Sequence, residues 1–394
     1  MTKLEQLIEE LCPNGVEYHE LGKIAEMRRG TSITKKNVCE GEIPVISGGR
    51  EPAYYCDTFN REGATITVAG SGAGAGYVQY WDRPIFVCDA FSIKGNERLS
   101  TKYLYYFLTS IQEFIYSTKK GGGVPHVHVS SIEHVQIPVP PLPVQSEIVR
   151  ILDNFTELTA ELTAELTAEL TARKKQYSYY RDSLLSFHEQ SAVPNMQLGD
   201  IAKFVYGYTD KAKDTGSARF IRITDINEDG RLNPNDAKYV ELNEENKKYL
   251  LQKGDLLLAR TGATYGKTLY FDSDGPAVYA SFLIKIILDN SLIKNRYYWH
   301  FSKSSLYWEQ AERYVSKGGQ QQFNTNAVSR VKVPIPSLEV QDKIIYVLDN
   351  FDAICSDLNI GLPAEIDARQ KQYEFYRDAL LTYAATGKTI LTDR

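Results

Sequence analysis

Cysteine is scarce in this sequence and never paired. Five cysteines (Cys12, Cys39, Cys56, Cys88, Cys355) are scattered through 394 residues with no CxxC spacing. That excludes a cysteine-based zinc site or a disulfide framework and fits a reduced, cytoplasmic location. No apolar run reaches the roughly 18 residues needed to span a bilayer. The start, MTKLEQLIEELCPNG, is charged and lacks an apolar signal core, so no membrane role is expected. Catalytic constellations are missing too. There is no Ser/His/Asp arrangement, no methyltransferase catalytic tetrapeptide and no acidic nuclease cluster. His126, His128 and His134 lie close in sequence without Cys or carboxylate partners, so no metal site is assigned to them.

Two glycine-rich stretches imitate nucleotide loops and fail on context. Gly70-Ser-Gly-Ala-Gly-Ala-Gly76 is followed by Pro84 and a β-like run, where a dinucleotide fold needs a helix. Gly262-Ala-Thr-Tyr-Gly-Lys-Thr268 has one residue too few between its glycines for a phosphate loop. The two stretches align with each other, so a structural turn used twice explains both.

An excess of positive charge is also absent. The formal net charge is −5. Its distribution is uneven: 13 Lys and Arg balance 13 Asp and Glu between Gly15 and Leu142. Between Ser191 and Ser337 there are 20 against 16, and the remaining segments carry 12 against 21. The acidity therefore sits in the helical segments, which leaves room for local basic grooves.

What is present is self-similarity, the sign of a unit used more than once. Leu21-Gly-Lys-Ile-Ala matches Leu198-Gly-Asp-Ile-Ala at an offset of 177. Ala90-Phe-Ser-Ile-Lys matches Ser281-Phe-Leu-Ile-Lys at 191, and Val135-Gln-Ile-Pro-Val-Pro matches Val331-Lys-Val-Pro-Ile-Pro at 196. Ile151-Leu-Asp-Asn-Phe then matches Val347-Leu-Asp-Asn-Phe, and Arg173-Lys-Lys-Gln-Tyr-Ser-Tyr-Tyr-Arg-Asp matches Arg369-Gln-Lys-Gln-Tyr-Glu-Phe-Tyr-Arg-Asp, both still at 196. The offset grows in the globular parts and stays fixed in the helical ones. The expected layout is a first globular domain at 1–142, a spacer helix at 143–190, a second globular domain at 191–337 and a second helix with tail at 338–394.

Val144 to about His188 follows a proline cluster and contains no internal Gly or Pro, which predicts one long helix. Three TAEL units at its centre place Leu158, Leu162, Leu166 and Leu170 every fourth residue. Each step turns such a stripe by about 40° on a helix. The second copy places Ile354, Leu358, Leu362 and Ile366 at the matching positions, with Gly361 and Pro363 expected to bend it. Two equal stripes predict helices packed on each other, antiparallel because the globular part between them returns the chain. Plain helix filler is the competing explanation of TAEL. Each globular half mixes short strands, such as Ala64-Thr-Ile-Thr-Val and Asp255-Leu-Leu-Leu-Ala, with an aromatic helix at Thr101 to Ser117 or Ile293 to Val315. The class is mixed α+β with a pseudo-two-fold internal repeat.

Polar and basic loop positions recur between the halves. In the first they are Arg28, Arg29, Thr31, Lys35, Lys36, Ser47, Gly48, Gly49, Arg50, Lys119 and Lys120. In the second they are Lys211, Lys213, Arg219, Arg222, Arg260, Thr261, Lys317, Gln320, Gln321 and Gln322. Arg, Lys and Gln pair with base edges, and neighbouring glycines let a phosphate backbone approach, so double-stranded DNA is the expected ligand.

These features together resemble the specificity subunit of type I restriction–modification enzymes, over essentially the whole chain. The resemblance rests on Leu11-Cys-Pro-Asn-Gly-Val-Glu-Tyr, the Pro segments, Gln145 and Gln341 opening the helices, and the duplicated boxes. The TAEL run points to the IC family of these enzymes, although the second half lacks it. The resemblance implies a non-catalytic subunit whose two domains read the halves of a bipartite site. It implies two methyltransferase subunits docked on the repeated helices, where Tyr177, Tyr180 and Arg181 recur as Tyr373, Tyr376 and Arg377. Motor-nuclease subunits would join for restriction. S-adenosylmethionine, ATP and Mg would all sit on the partners. A DNA-binding scaffold of another modification system is the alternative, and a self-contained nucleotide-binding enzyme a more distant one.

Overall fold

Thr65–Ala69 and Leu256–Ala259 have every side chain buried. Short runs covered on both faces belong inside a sheet. Both occupy the third place in a four-stranded antiparallel sheet. One sheet is ordered Ala25–Arg29, Ala90–Gly95, Thr65–Ala69, Val78–Trp81; the other Ala202–Tyr206, Leu283–Leu288, Leu256–Ala259, Thr268–Tyr270. A three-stranded mixed sheet accompanies each, centred on Ile43–Ile46 and on Ala218–Ile221. The Pro-containing segments form short ribbons, Tyr18–Glu20 with Gln136–Pro138 and Asn195–Gln197 with Lys332–Pro334. The computed structural model describes residues 2–33, 40–187, 192–316, 321–356 and 361–387.

The α+β class and the repeat are as expected, and the grouping of segments adds to the layout. One compact unit consists of Met1–Ala164 together with Asp367–Arg394; the other is Glu165–Ile366. Both dividing points fall inside helices, so each unit takes in part of the central helix and part of the terminal one. In the first unit Val144, Ile148 and Leu152 share a core with Leu381 and Ala384. In the second, Tyr177 and Leu185 share a core with Ile344, Leu348 and Cys355. Each pair of segments runs antiparallel, and each Leu-Asp-Asn-Phe box meets the Arg-x-Lys-Gln-Tyr box of the other repeat. Phe155 lies 6.2 Å from Tyr376, and Phe351 stacks on Tyr180 at 5.3 Å.

The central helix forms as expected, and other helices differ in detail. The central helix, Leu142–Leu185, is unbroken. As expected, the second helix does not run straight through: the described helices are Leu338–Ser356 and Leu362–Thr386, with a bend at Gly361 and Pro363 in a first turn, where a missing N–H costs nothing. The aromatic helices are each split, at Ile111 and at Ser302–Ser304. At the second split, Ser302 and Ser304 hydroxyls donate to carbonyls three residues back, competing with helical bonding. Of the leucine stripe, Leu158 and its counterpart Ile354 are mostly exposed, at 60% and 43%. Leu162, Leu166, Leu362 and Ile366 are half-buried, and Leu170 packs on the second core. A four-residue repeat drifts off a straight seam, so one stripe cannot face one partner throughout. Leu358 lies outside the described residues.

Candidate nucleic-acid interface

In the first unit three loops are stitched together by backbone hydrogen bonds. Lys120 and His126 exchange N–H···O bonds of 2.9 and 2.8 Å. Pro125 and Val127, on either side, are tied to the glycine loop: the Gly72 N–H donates to Pro125 O and the Val127 N–H to Gly70 O, both at 3.0 Å. Ser47–Arg50 packs on the same loop so closely that a Cβ on Gly48 would lie 2.2 Å from Ser71 O. Gly30 and Thr31 are tied in through Ala90 O and Val87 O. A cavity of about 290 Å³ opens here, lined among others by Arg29, Ser32, Asp89, His126 and His128. Arg50 lies over the Tyr77 ring and Lys119 over Tyr116, at 5.0 and 4.2 Å.

The second unit repeats the scaffold with other side chains. Ser316 pairs with Gln322, and Gln322 with Thr261, as Lys120 pairs with His126 and His126 with Ser71. The Phe323 N–H donates to Arg260 O at 2.7 Å. Gly72 and Gly262 both take positive φ, 78° and 73°, as do Gly76 and Gly266, 86° and 78°. These two stretches are equivalent strand-to-strand turns, and no helix opens at the first. Arg260 donates to Ser281 O at 3.0 Å, and its guanidinium lies 5.3 and 5.5 Å from the rings of Tyr206 and Phe282. Gln321 and Gln322 are exposed.

The structure thus gathers Arg29, Thr31, Ser47, Gly48, Gly49, Arg50, Lys119 and Lys120 in one unit, and Arg260, Gln321 and Gln322 in the other. Other expected contact residues are placed differently. Arg222 is spent on Asp225, at 3.1 Å from Nε and 2.8 Å from Nη2, and on Asp236; Arg219 donates to Asn233 O. Thr261 is buried in its turn, 3% exposed. Arg28 pairs with Glu26 and lines a different cavity with Arg61 and Lys94. Lys211 and Lys213 are exposed, but Lys213 pairs with Tyr239 rather than with the Arg260 loop. Lys35, Lys36, Lys317 and Gln320 lie outside the described residues. Sequence reasoning set His126 aside as a metal candidate. Its distance from Gln322 is 196 residues, the repeat offset, and that signal was available.

The duplicated boxes turn inward. Tyr177 is 7% exposed, and its hydroxyl lies 3.1 Å from His300 Nδ1; His300 Nε2 lies 2.7 Å from Asp349. In the first unit Tyr373 bonds Thr156 at 3.0 Å, and Tyr106 donates to Asp153 at 2.5 Å. Arg181 and Arg377 pair with the neighbouring Asp182 and Asp378 and are largely covered. Tyr177, Tyr373, Arg181 and Arg377 therefore close seams within the chain. Closing a helix onto each core requires a large, hydrogen-bonding aromatic at that place. Tyr180 and Tyr376 keep an edge exposed, and Tyr179 stands out at 70%.

His300 is fully buried, and burial pushes its pKa down to about 4 despite Asp349 beside it. The folded value lies below the unfolded one near 6.5, so the unfolded chain takes up the proton first. Stability is then complete above about pH 6.5 and is lost as pH falls toward 4, by at most about 3 kcal/mol. Thermal unfolding followed from pH 7.5 to 4.5 is expected to show this loss in the wild type and much less of it in His300→Gln. Equal acid sensitivity in both proteins would refute the assignment.

Residues 13–172 and 191–368 each match the type I restriction modification DNA specificity domain. The chain belongs to this family of specificity subunits. It is 32% identical to a chain of Haemophilus influenzae named as a type I restriction enzyme specificity subunit, over 97% of this chain and 99% of the other. It is 33% identical to a type I restriction enzyme specificity subunit of Escherichia coli, over 97% of each. A solved chain from a type I restriction–modification assembly shares the fold, with a TM-score of 0.61 at 16% identity, covering 95% of this chain and 98% of that one. Among the described residues, no helix is long and apolar enough to cross a membrane.

Proposed function

We propose that this chain is the DNA-reading subunit of a type I restriction–modification complex, with one half of a bipartite double-stranded target read by each loop cluster. The observation that carries this is one backbone frame built twice and fitted with different polar side chains: Ser71 against Thr261, Gly70 against Arg260, His126 against Gln322. A common frame supports a common task, and different side chains support two different base sequences. The chemistry belongs to partners in the cytoplasm: methyltransferase subunits holding S-adenosylmethionine, and motor-nuclease subunits using ATP and Mg. Tyr179 and Phe375, exposed at matching positions, support docking of two methyltransferase copies. Methylation mapping of a host expressing the chain with its partner subunits tests the proposal. A two-part motif with a fixed non-specific gap is expected. A continuous motif, or methyl transfer by the purified chain alone, would overturn it.

A further inference from the structure

We propose that His126 and Gln322 are the counterpart base-reading side chains of the two units, a proposal that rests on the function given above. Both sit at the junction of the same three backbone segments. His126 pairs with Lys120 and Ser71; Gln322 pairs with Ser316 and Thr261. The next residue is an anchor in each case: Val127 is 1% exposed and Phe323 0%, and their N–H groups are held by Gly70 O and Arg260 O. Side chains alternate across extended backbone, so an inward anchor turns its predecessor outward. Gln322 is exposed and His126 half-buried at the mouth of the cavity with Arg29 and Ser32. The His126 ring lies parallel to that of His128, with centroids 6.0 Å apart and planes 3° from parallel.

Backbone clamping on both sides is what a specificity contact needs, because the side chain is presented without further ordering of its loop. The chemistry differs between the units. The Gln322 carboxamide offers a donor and an acceptor side by side, which matches a base edge in two bonds. A neutral imidazole at 126 offers one donor and one acceptor on opposite edges, so it makes a single bond to one base. The lysines and arginines nearby suit phosphates, which position the protein and carry no sequence information.

The test uses the full chain in complex with its methyltransferase subunits. Gln322→Ala is expected to relax a single base pair in one half of the motif, lowering discrimination there by roughly 5- to 150-fold. His126→Ala is expected to do the same at one base pair in the other half. Assembly with the partner subunits, read by light scattering, shows whether each variant has folded. Should an alanine variant fail to assemble, Gln322→Glu and His126→Gln take its place with the same expected location of change. An unchanged motif, relaxation in both halves from one substitution, or uniform weakening on all sequences would each overturn the proposal. Failure of the underlying function is distinguishable, because the wild-type complex would then give no bipartite motif.

Discussion

Asp352→Ala is expected to destabilise the second unit by about 3–5 kcal/mol, the range for removing one partner from a buried ion pair. Asp352 is 2% exposed and serves several cations at once. Lys303 Nζ is 3.0 Å from Oδ1, Arg231 pairs with Oδ2, and Arg296 stands 4.0 Å away. Burial holds the Lys303 pKa down at about 8, and the Asp352 carboxylate beside it works against that burial to keep the amine charged. Arg231 keeps 39% of its side chain in solvent and should lose less. The repeat supplies an internal control. The first unit has Thr156 at the equivalent place, a neutral residue bonded to Tyr373. Thr156→Ala removes a neutral hydroxyl that bonds Leu152 O, Tyr106 and Tyr373, and should cost about 1–2 kcal/mol. Urea denaturation of both variants decides the matter: equal costs would mean that the charged cluster is no more than a solvated surface.

Deleting Thr163–Leu166 is expected to shorten the non-specific gap of the target by one base pair and to leave both half-sites unchanged. The central helix passes from Ala164 to Glu165 without a break. Four residues span about 6 Å of helix, nearly two base pairs at 3.4 Å each. The same four residues leave the helix about 40° from its former phase, close to the roughly 35° turn of one base pair. The terminal helices are not shortened by the deletion, so part of the 6 Å is absorbed, and the rotation selects one pair. Methylation mapping of the deletion variant gives the gap directly. An unchanged gap would show that TAEL is not the ruler, and altered half-sites would show that the units do not read independently.

Much of the fold is legible in the residues, because a repeat offset is a strong signal and glycine turns recur with it. The pairing of boxes is not. Leu-Asp-Asn-Phe and Arg-x-Lys-Gln-Tyr occur in both halves, so either copy could complete either seam, and only tertiary packing chooses. Arg219 and Arg222 look like free loop cations until Asn233, Asp225 and Asp236 are folded beside them. His300 reads as an ordinary aromatic-helix residue, yet it links Tyr177 to Asp349 across stretches of 123 and 49 residues. Contacts at such separations leave no local pattern. The correspondence of His126 with Gln322 is visible only by carrying the offset of 196 through the loops, where the two residue types give no hint of it.

The exchange of boxes between repeats means that each unit is completed by a segment from the other half of the sequence. Leu4 and Ile8 near the beginning share their core with Leu381 and Ala384 near the end. A half-length ancestor ending after a residue such as Leu185 would carry one Leu-Asp-Asn-Phe acceptor and one unsatisfied tyrosine box. Two such molecules would complete each other reciprocally and face a palindrome. Joining two such genes head to tail would convert that symmetric pair into one chain and free each half to diverge toward its own sequence. Recombination within the repeated helix can then exchange one reading half for another without disturbing either seam, and new DNA addresses arise by shuffling rather than by point substitution.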